Sequence, residues 1–232
     1  MRVAKRLWTL VLLIALGCAL AGCGGGGGGG SSQDVVFTPN YISSLDSLNH
    51  WSVLPIKVYF ALPADWTNTY PADLPAQAAQ SWNISGKQAF YSVVGSQAEA
   101  DVTCSFVPSP LPKWGVNTVA VTEYSIDTSQ HLMVPGTVSV ICALHDVSGR
   151  ALGAAQVQTS IAHELGHALG ISGHSPNPSD LLYALEQPGI TTPQVRDLNT
   201  AMTAYQAYFG TGAKTRGPEI PNPSAIVHRQ IP

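Results

Sequence analysis

Three histidines and one glutamate lie within 12 consecutive residues of this 232-residue chain, and their spacing suits a metal site. His163 and His167 are four residues apart, so on an α-helix both side chains lie on one face and can bind the same ion. Glu164 is adjacent to the first histidine, where its carboxylate can reach a water molecule at that ion. Gly170 can end the helix and turn the chain, which would bring His174 back as a third ligand. Three protein ligands with one position left for water are typical of a catalytic zinc ion rather than a structural one.

The same residues have other interpretations. The simplest is a helix with two surface histidines, followed by an unrelated third histidine. Two downstream carboxylates, Asp180 and Glu186, are alternative third ligands, because some zinc peptidases take a ligand from such a position. Pro176 and Pro178 interrupt the helix that would have to carry Glu186, so we prefer His174.

Residues 163–175 resemble the zinc motif of the metzincin peptidases, and are most similar to the matrixin (matrix metalloproteinase-like) branch in its bacterial form. The sequence departs from the motif H-E-x-x-H-x-x-G-x-x-H in one place, because the third histidine would then stand at the position of Gly173. His174 follows one residue later. The Ser172–Gly173 pair is flexible enough to absorb the additional residue.

The resemblance covers residues 51–209 and implies an α+β fold, similar to α/β folds. It implies a twisted, five-stranded, mostly parallel sheet with one antiparallel edge strand, two main helices and a C-terminal helix. Residues 118–126 would be that edge strand. Since an edge strand has unpaired N–H and C=O groups, a protein or peptide substrate could bind along it by strand addition.

The resemblance also assigns roles to two residues after the motif. Leu182 occupies the position of a methionine that packs beneath the zinc ligands in the family, and leucine is close to it in volume. Tyr183 would line the pocket for the substrate residue after the scissile bond, although a plain packing role is an equal alternative.

Together these residues predict a zinc-dependent endopeptidase with one catalytic Zn²⁺. The metal would activate water, and Glu164 would be the general base. The alternative is a non-catalytic surface lipoprotein that uses a metzincin fold as a binding module. Asp127 and Asp146 are candidate calcium ligands, but nothing in their spacing indicates a calcium site.

Residues 1–22 have the features of an export signal, with a basic start and an apolar run too short for a membrane span. The run ends in Leu-Ala-Gly before Cys23, which resembles a bacterial lipobox with cleavage before Cys23 and lipidation of its thiol. An ordinary secretory signal is the alternative. In residues 23–32 the cysteine is followed by 7 glycines and two serines, which predict a flexible tether. We therefore expect an exported protein of the bacterial cell envelope, at the outer membrane or cell surface, that touches the membrane through its lipid anchor only.

The charge of the mature chain argues against nucleic acid as a partner. Removal of residues 1–22 takes away three basic side chains, which leaves 8 Lys and Arg against 14 Asp and Glu, a net charge of −6. No basic cluster remains. We expect a monomer. In an exported protein, the remaining pair Cys104 and Cys142 favours a disulfide, with two buried free thiols as the alternative.

The pattern of apolar residues divides the rest of the chain. Residues 33–50 form an N-terminal segment on the domain, residues 51–209 the domain itself, and residues 210–232 a Pro-rich tail expected to be disordered. Periodicity and β-branched content predict strands at 55–60, 89–94, 100–106, 118–126 and 137–143, and helices at 73–85, 157–169 and from 192 onward.

Overall fold

The computed structural model describes residues 36–187, 189–209 and 221–232, and of residues 207–209 the backbone only. Its architecture is α+β, as predicted. The α-helices are α1 (Leu74–Gln80), α2 (Ala154–Ala168) and α3 (Val195–Phe209). The strands, in chain order, are β1 (Ser47–Leu48), β2 (Ile56–Ala61), β3 (Tyr91–Val93), β4 (Val102–Val107), β5 (Ala120–Asp127), β6 (Leu132–Met133), β7 (Val138–Ala143), β8 (Ile171–Ser172) and β9 (Ile226–Ile231).

The main sheet is mixed. β3, β2, β4 and β7 lie side by side in that order and are parallel to one another. β5 follows antiparallel to β7, as predicted, and β6 and β9 both pair with β5 in antiparallel orientation. The sheet has 7 strands instead of the expected five, because β6 and β9 extend it. β1 and β8 form a separate antiparallel pair.

The core lies between this sheet and α2. At the starts of β2, β4 and β7 alternate side chains are buried, as a period of two residues requires, whereas in β5 every side chain except Glu123 is buried. α2 contributes an apolar stripe with a spacing of four residues, which packs on β5, β7 and α1. The stripe consists of Val157, Ile161, Leu165 and Leu169, all fully buried.

The predicted disorder of the tail is wrong for residues 221–232. These residues contain β9, which pairs with β5 over six residue pairs. β5 is therefore not the edge strand that the sequence predicted, because β9 covers its outer side. The composition of the tail misled the prediction, since strand addition satisfies backbone groups and demands little of the side chains. Residues 210–220 lie outside the described part of the chain.

The N-terminal segment belongs to the same compact unit as the domain. Tyr41 is buried against α3, where its hydroxyl donates to Asp197 at 2.8 Å. β1 pairs with β8, directly beyond the end of α2. The domain therefore begins before the predicted residue 51, and residues 36–50 serve as part of its structure.

The predicted disulfide is absent, since Cys104 and Cys142 are free and fully buried. The two residues lie on the neighbouring parallel strands β4 and β7, but Cys104 is opposite Val140, and Cys142 is opposite Phe106. They are therefore two residues out of register. A hydrogen bond between the thiols and burial together raise the pKa of Cys142 well above its ordinary value, so this thiol is protonated at neutral pH.

Within the described residues, no helix is both long and apolar enough to cross a membrane. The predicted signal, the lipidation site Cys23 and the tether all fall outside those residues.

Candidate metal centre

The two motif histidines lie on the buried face of α2. Nδ1 of His163 is 2.8 Å from the carbonyl oxygen of Leu181, and Nδ1 of His167 is 2.8 Å from that of Ile171. Because a carbonyl oxygen can only accept, each Nδ1 carries the proton and each Nε2 presents a free lone pair. The two Nε2 atoms are 3.1 Å apart. Two buried lone pairs this close repel each other, and a cation ligated by both nitrogens removes the repulsion.

His174 completes the cluster from the loop after α2. Its ring centroid is 5.4 Å from that of His163 and 5.0 Å from that of His167. One ligand nitrogen from each of the three rings lies within 4.8 Å of the others. Gly170 and Gly173 turn the chain with φ angles of +106° and +110°, which side chains rarely adopt. A Cβ at Gly170 would also meet the carbonyl oxygen of Asn49 at 2.4 Å.

All three rings are held in the neutral form that a metal requires. Burial lowers the pKa of His163 to about 4, and the nearby His174 contributes in the same direction. Burial and the two neighbouring rings lower the pKa of His167 well below its ordinary value. The pKa of the partly exposed His174 is also lowered by burial. At neutral pH the cluster therefore offers three imidazole donors, and this donor set fits a zinc ion.

Glu164 lies directly beside this cluster and is only 1% exposed. Burial raises its pKa well above the ordinary range. The hydroxyl of Thr122, on β5, lies 2.5 Å from the carboxylate oxygen Oε2 and 2.9 Å from the main-chain oxygen of the same glutamate. Thr122 therefore fixes the position of the carboxylate. Nothing in the sequence marks this residue beyond its place in a predicted strand.

A buried carboxylate supports the turn beneath the histidines. Asp197, 0% exposed on α3, accepts hydrogen bonds from the main-chain N–H groups of Leu181 and Leu182 at 2.9 and 3.3 Å. The carbonyl of Leu181 in turn binds His163. Leu182 is fully buried against Gly166 of α2, where a Cβ would lie 2.7 Å from it. Leu182 therefore packs against α2 between the two motif histidines in sequence, and its assignment to the family's methionine position stays a prediction, whereas the role of Asp197 was not predicted.

A cavity of about 440 Å³ opens beside His163, Glu164 and His174. Tyr183, predicted to line the pocket, is not among its lining residues; the next three residues, 184–186, are. Two well-exposed apolar residues, Val116 at 93% and Leu185 at 66%, line this cavity.

The alternative ligands are engaged elsewhere. Asp180 is ion-paired with Arg196 at 2.9 Å and hydrogen-bonded to the hydroxyl of Ser175. Glu186 accepts a hydrogen bond from Ser160 at 2.8 Å.

The two candidate calcium ligands also have protein partners. Asp127 accepts from Ser129 and from the main-chain N–H of Asn222, and Asp146 accepts from Ser148 and Arg150. Across the described ranges, the three histidines are the one group of three or more such side chains arranged to hold a metal.

No protein-family model matches the chain, and no curated protein matches it at a significant level. The function is therefore inferred from the chemistry of the site.

Proposed function

We propose that the protein is a zinc-dependent endopeptidase with a matrixin-like metzincin fold. The observation that carries the proposal is the pair of buried Nε2 atoms 3.1 Å apart, each with its Nδ1 proton donated to a carbonyl oxygen. This arrangement favours a bound cation. His163, His167 and His174 would hold the zinc, and a buried carboxylate stands next to them.

When bound, zinc supplies a Lewis acid that polarises the scissile carbonyl and makes water a better nucleophile. Glu164 accepts the proton of the attacking water and delivers it to the amine as the peptide C–N bond breaks. Thr122 keeps the carboxylate oriented throughout.

The surroundings of the site support a peptide as the substrate. The cavity of about 440 Å³ has room for a side chain, and Val116 and Leu185 suit an apolar one. β5 runs past Glu164, and its outer edge binds an extended chain, which is β9 in this structure. We further propose that the protein acts as a lipid-anchored monomer of the bacterial envelope, on the basis of the lipobox-like sequence before Cys23 and the glycine tether.

Replacement of Glu164 tests the proposal. Glu164→Gln removes the proton acceptor and leaves the three histidines, so we expect turnover of a casein or fluorogenic peptide substrate to fall roughly 10²- to 10⁴-fold. Zinc content, measured after dialysis, should stay the same. A chelator should abolish wild-type activity, and added zinc should restore it.

The exposed Glu99→Gln is the matched control and should retain wild-type turnover. Equal turnover in Glu164→Gln and wild type would contradict the catalytic role. A protein that retains zinc but cleaves nothing in any form would instead support the non-catalytic binding module.

A further inference from the structure

The outer edge of β5, next to the metal centre, is occupied by the chain's own C-terminal strand. Every residue of β9 has a partner there, from Thr122 opposite Ile231 to Asp127 opposite Ile226. The strands are antiparallel, so β9 approaches the site at its C-terminal end. Thr122, the partner of Ile231, also binds Glu164.

The segment is held at both ends. At the far end, Asp127 accepts from the main-chain N–H of Asn222 at 2.5 Å, and Thr128 donates to the main-chain oxygen of Ala225 at 3.0 Å. At the near end, the main-chain oxygen of Pro232 is 3.0 Å from Nε2 of His174. Pro232 lines the same cavity as His163 and Glu164. The segment therefore delivers a main-chain oxygen to one of the proposed zinc ligands.

The side chains of β9 contribute little to this docking. The four central residues, 227–230, are exposed, and only Ile226 and Ile231 at the two ends are partly buried. One side-chain contact is strong, between His228 and the hydroxyl of Ser125 at 2.6 Å. The docking thus depends mainly on main-chain pairing, which any extended peptide also offers. A substrate could therefore replace β9 on the same edge.

We propose that residues 221–232 act as an intrachain pseudosubstrate, which blocks the peptide-binding edge of β5 until a peptide displaces it. The proposal rests on the proposed function for the identity of the competing ligand. Intrachain competition divides the dissociation constant of the peptide by the fraction of molecules in which the edge is free, so the apparent dissociation constant rises. Release of the strand should therefore lower KM and leave kcat nearly unchanged.

A reversible disulfide that locks β9 onto β5 tests this proposal in the full chain. Glu123 and Gln230 are direct cross-strand partners and neither is buried, so Glu123→Cys with Gln230→Cys can join β9 to β5 on oxidation. The native Cys104 and Cys142 are buried and should not interfere. We expect oxidation to lower kcat/KM at least about tenfold, and a phosphine reductant to restore it. Wild type treated in the same way is the control, and zinc content is measured in both states.

A second pair of variants releases the strand. Arg229→Pro with Gln230→Pro removes two consecutive N–H groups, one of which must face β5. Arg229→Ala with Gln230→Ala changes the same exposed side chains and keeps the backbone pairing. We expect KM to fall roughly tenfold in the proline variant and to stay unchanged in the alanine variant, with equal circular dichroism spectra.

Peptide binding separates this proposal from the peptidase proposal. The probe is a labelled peptide with the sequence of residues 226–232, and its fluorescence anisotropy is measured with proteins that also carry Glu164→Gln. The peptide should bind to the proline variant at least about tenfold more tightly than to the oxidised, locked protein. If the peptide binds more tightly to the proline variant than to the locked protein but no form cleaves peptides, the strand proposal stands and the peptidase proposal fails. If locked and released proteins bind and cleave equally well, the strand proposal is wrong.

Discussion

At the scale of single residues, the site depends on groups that hold the reactive side chains in one orientation. The carbonyls of Leu181 and Ile171 each fix the tautomer of one histidine. The hydroxyl of Thr122 holds the carboxylate of Glu164. Such supporting partners commonly affect metal affinity or activity by one to two orders of magnitude, because a misplaced ligand or base loses its geometry.

Replacement of Thr122 measures this contribution. Thr122→Val keeps the shape of the side chain and removes the hydrogen bond to Glu164, so we expect kcat to fall about tenfold while zinc content is unchanged. Thr103→Val, at a partly exposed position on β4, is the matched control and should retain wild-type kcat. Unchanged kcat in Thr122→Val would show that packing alone positions the glutamate.

At the scale of elements, α2 is fixed by hydrogen bonds as well as by its apolar stripe. Four aromatic side chains donate to main-chain oxygens at its C-terminal end, at distances of 2.5 to 2.8 Å. These contacts tie the end of the helix that carries His163 and His167 to distant parts of the chain, so the two histidines face the loop that carries His174. The donors are Trp51, Trp82, Tyr91 and Tyr205, and the acceptors are residues 168, 162, 165 and 169.

Gly166 allows the close approach of α2 to the turn that contains Leu182. A Cβ at this position would lie 2.7 Å from both Leu182 and Trp82, and both side chains are fully buried. Alanine favours helices over glycine by about 1 kcal/mol, but overpacking costs about 1–3 kcal/mol. We therefore expect Gly166→Ala to lower the free energy of unfolding by up to about 2 kcal/mol in urea denaturation.

The control for this effect is Gly95→Ala. A Cβ at Gly95 meets nothing within 4 Å, and its φ angle is not in the left-handed region. We expect Gly95→Ala to change the free energy of unfolding by less than about 1 kcal/mol, and in the stabilising direction. A Gly166→Ala protein about 1 kcal/mol more stable than wild type would mean that the helix and the turn can separate without cost.

At the scale of the whole molecule, we expect stability to depend on pH through the carboxyl group of Glu186. Burial raises its pKa from 4.5 to about 7, although Ser160 donates a hydrogen bond to it. The folded state therefore binds this proton more tightly than the unfolded state. The resulting stabilisation is fully present below about pH 4.5 and is lost as pH rises to about 7.

Glu186→Gln removes this ionisation and retains a partner for Ser160. We expect the free energy of unfolding of the variant, relative to wild type, to rise by up to about 3 kcal/mol between pH 4.5 and pH 8. Urea denaturation over this pH series measures the difference, in which effects common to both proteins cancel. The free energy of unfolding of the exposed control variant Glu99→Gln should change with pH in parallel with that of wild type. Parallel curves for Glu186→Gln and wild type would show that the carboxyl is already solvated when folded.

Local rules account for what the sequence determined by itself. The spacing of His163 and His167 fixes their common face, because that face depends on the helical repeat alone. Gly170 turns the chain as predicted, and because the loop that follows is short, His174 must lie close to the end of α2. The α+β class, the antiparallel orientation of β5 and the buried stripe of α2 were also predicted from periodicity or from the resemblance.

The tertiary structure alone decided which distant groups meet these residues. Thr122 is 42 positions from Glu164, and no local pattern shows which strand residue faces the helix. The same holds for Asp197 beneath the ligand turn. The strand β9 escaped prediction because its pairing with β5 uses main-chain groups that every sequence has, so its composition carried no signal. The prediction of a disulfide between Cys104 and Cys142 was wrong for a related reason. Strand register sets the separation of the two cysteines, and only the assembled sheet fixes that register.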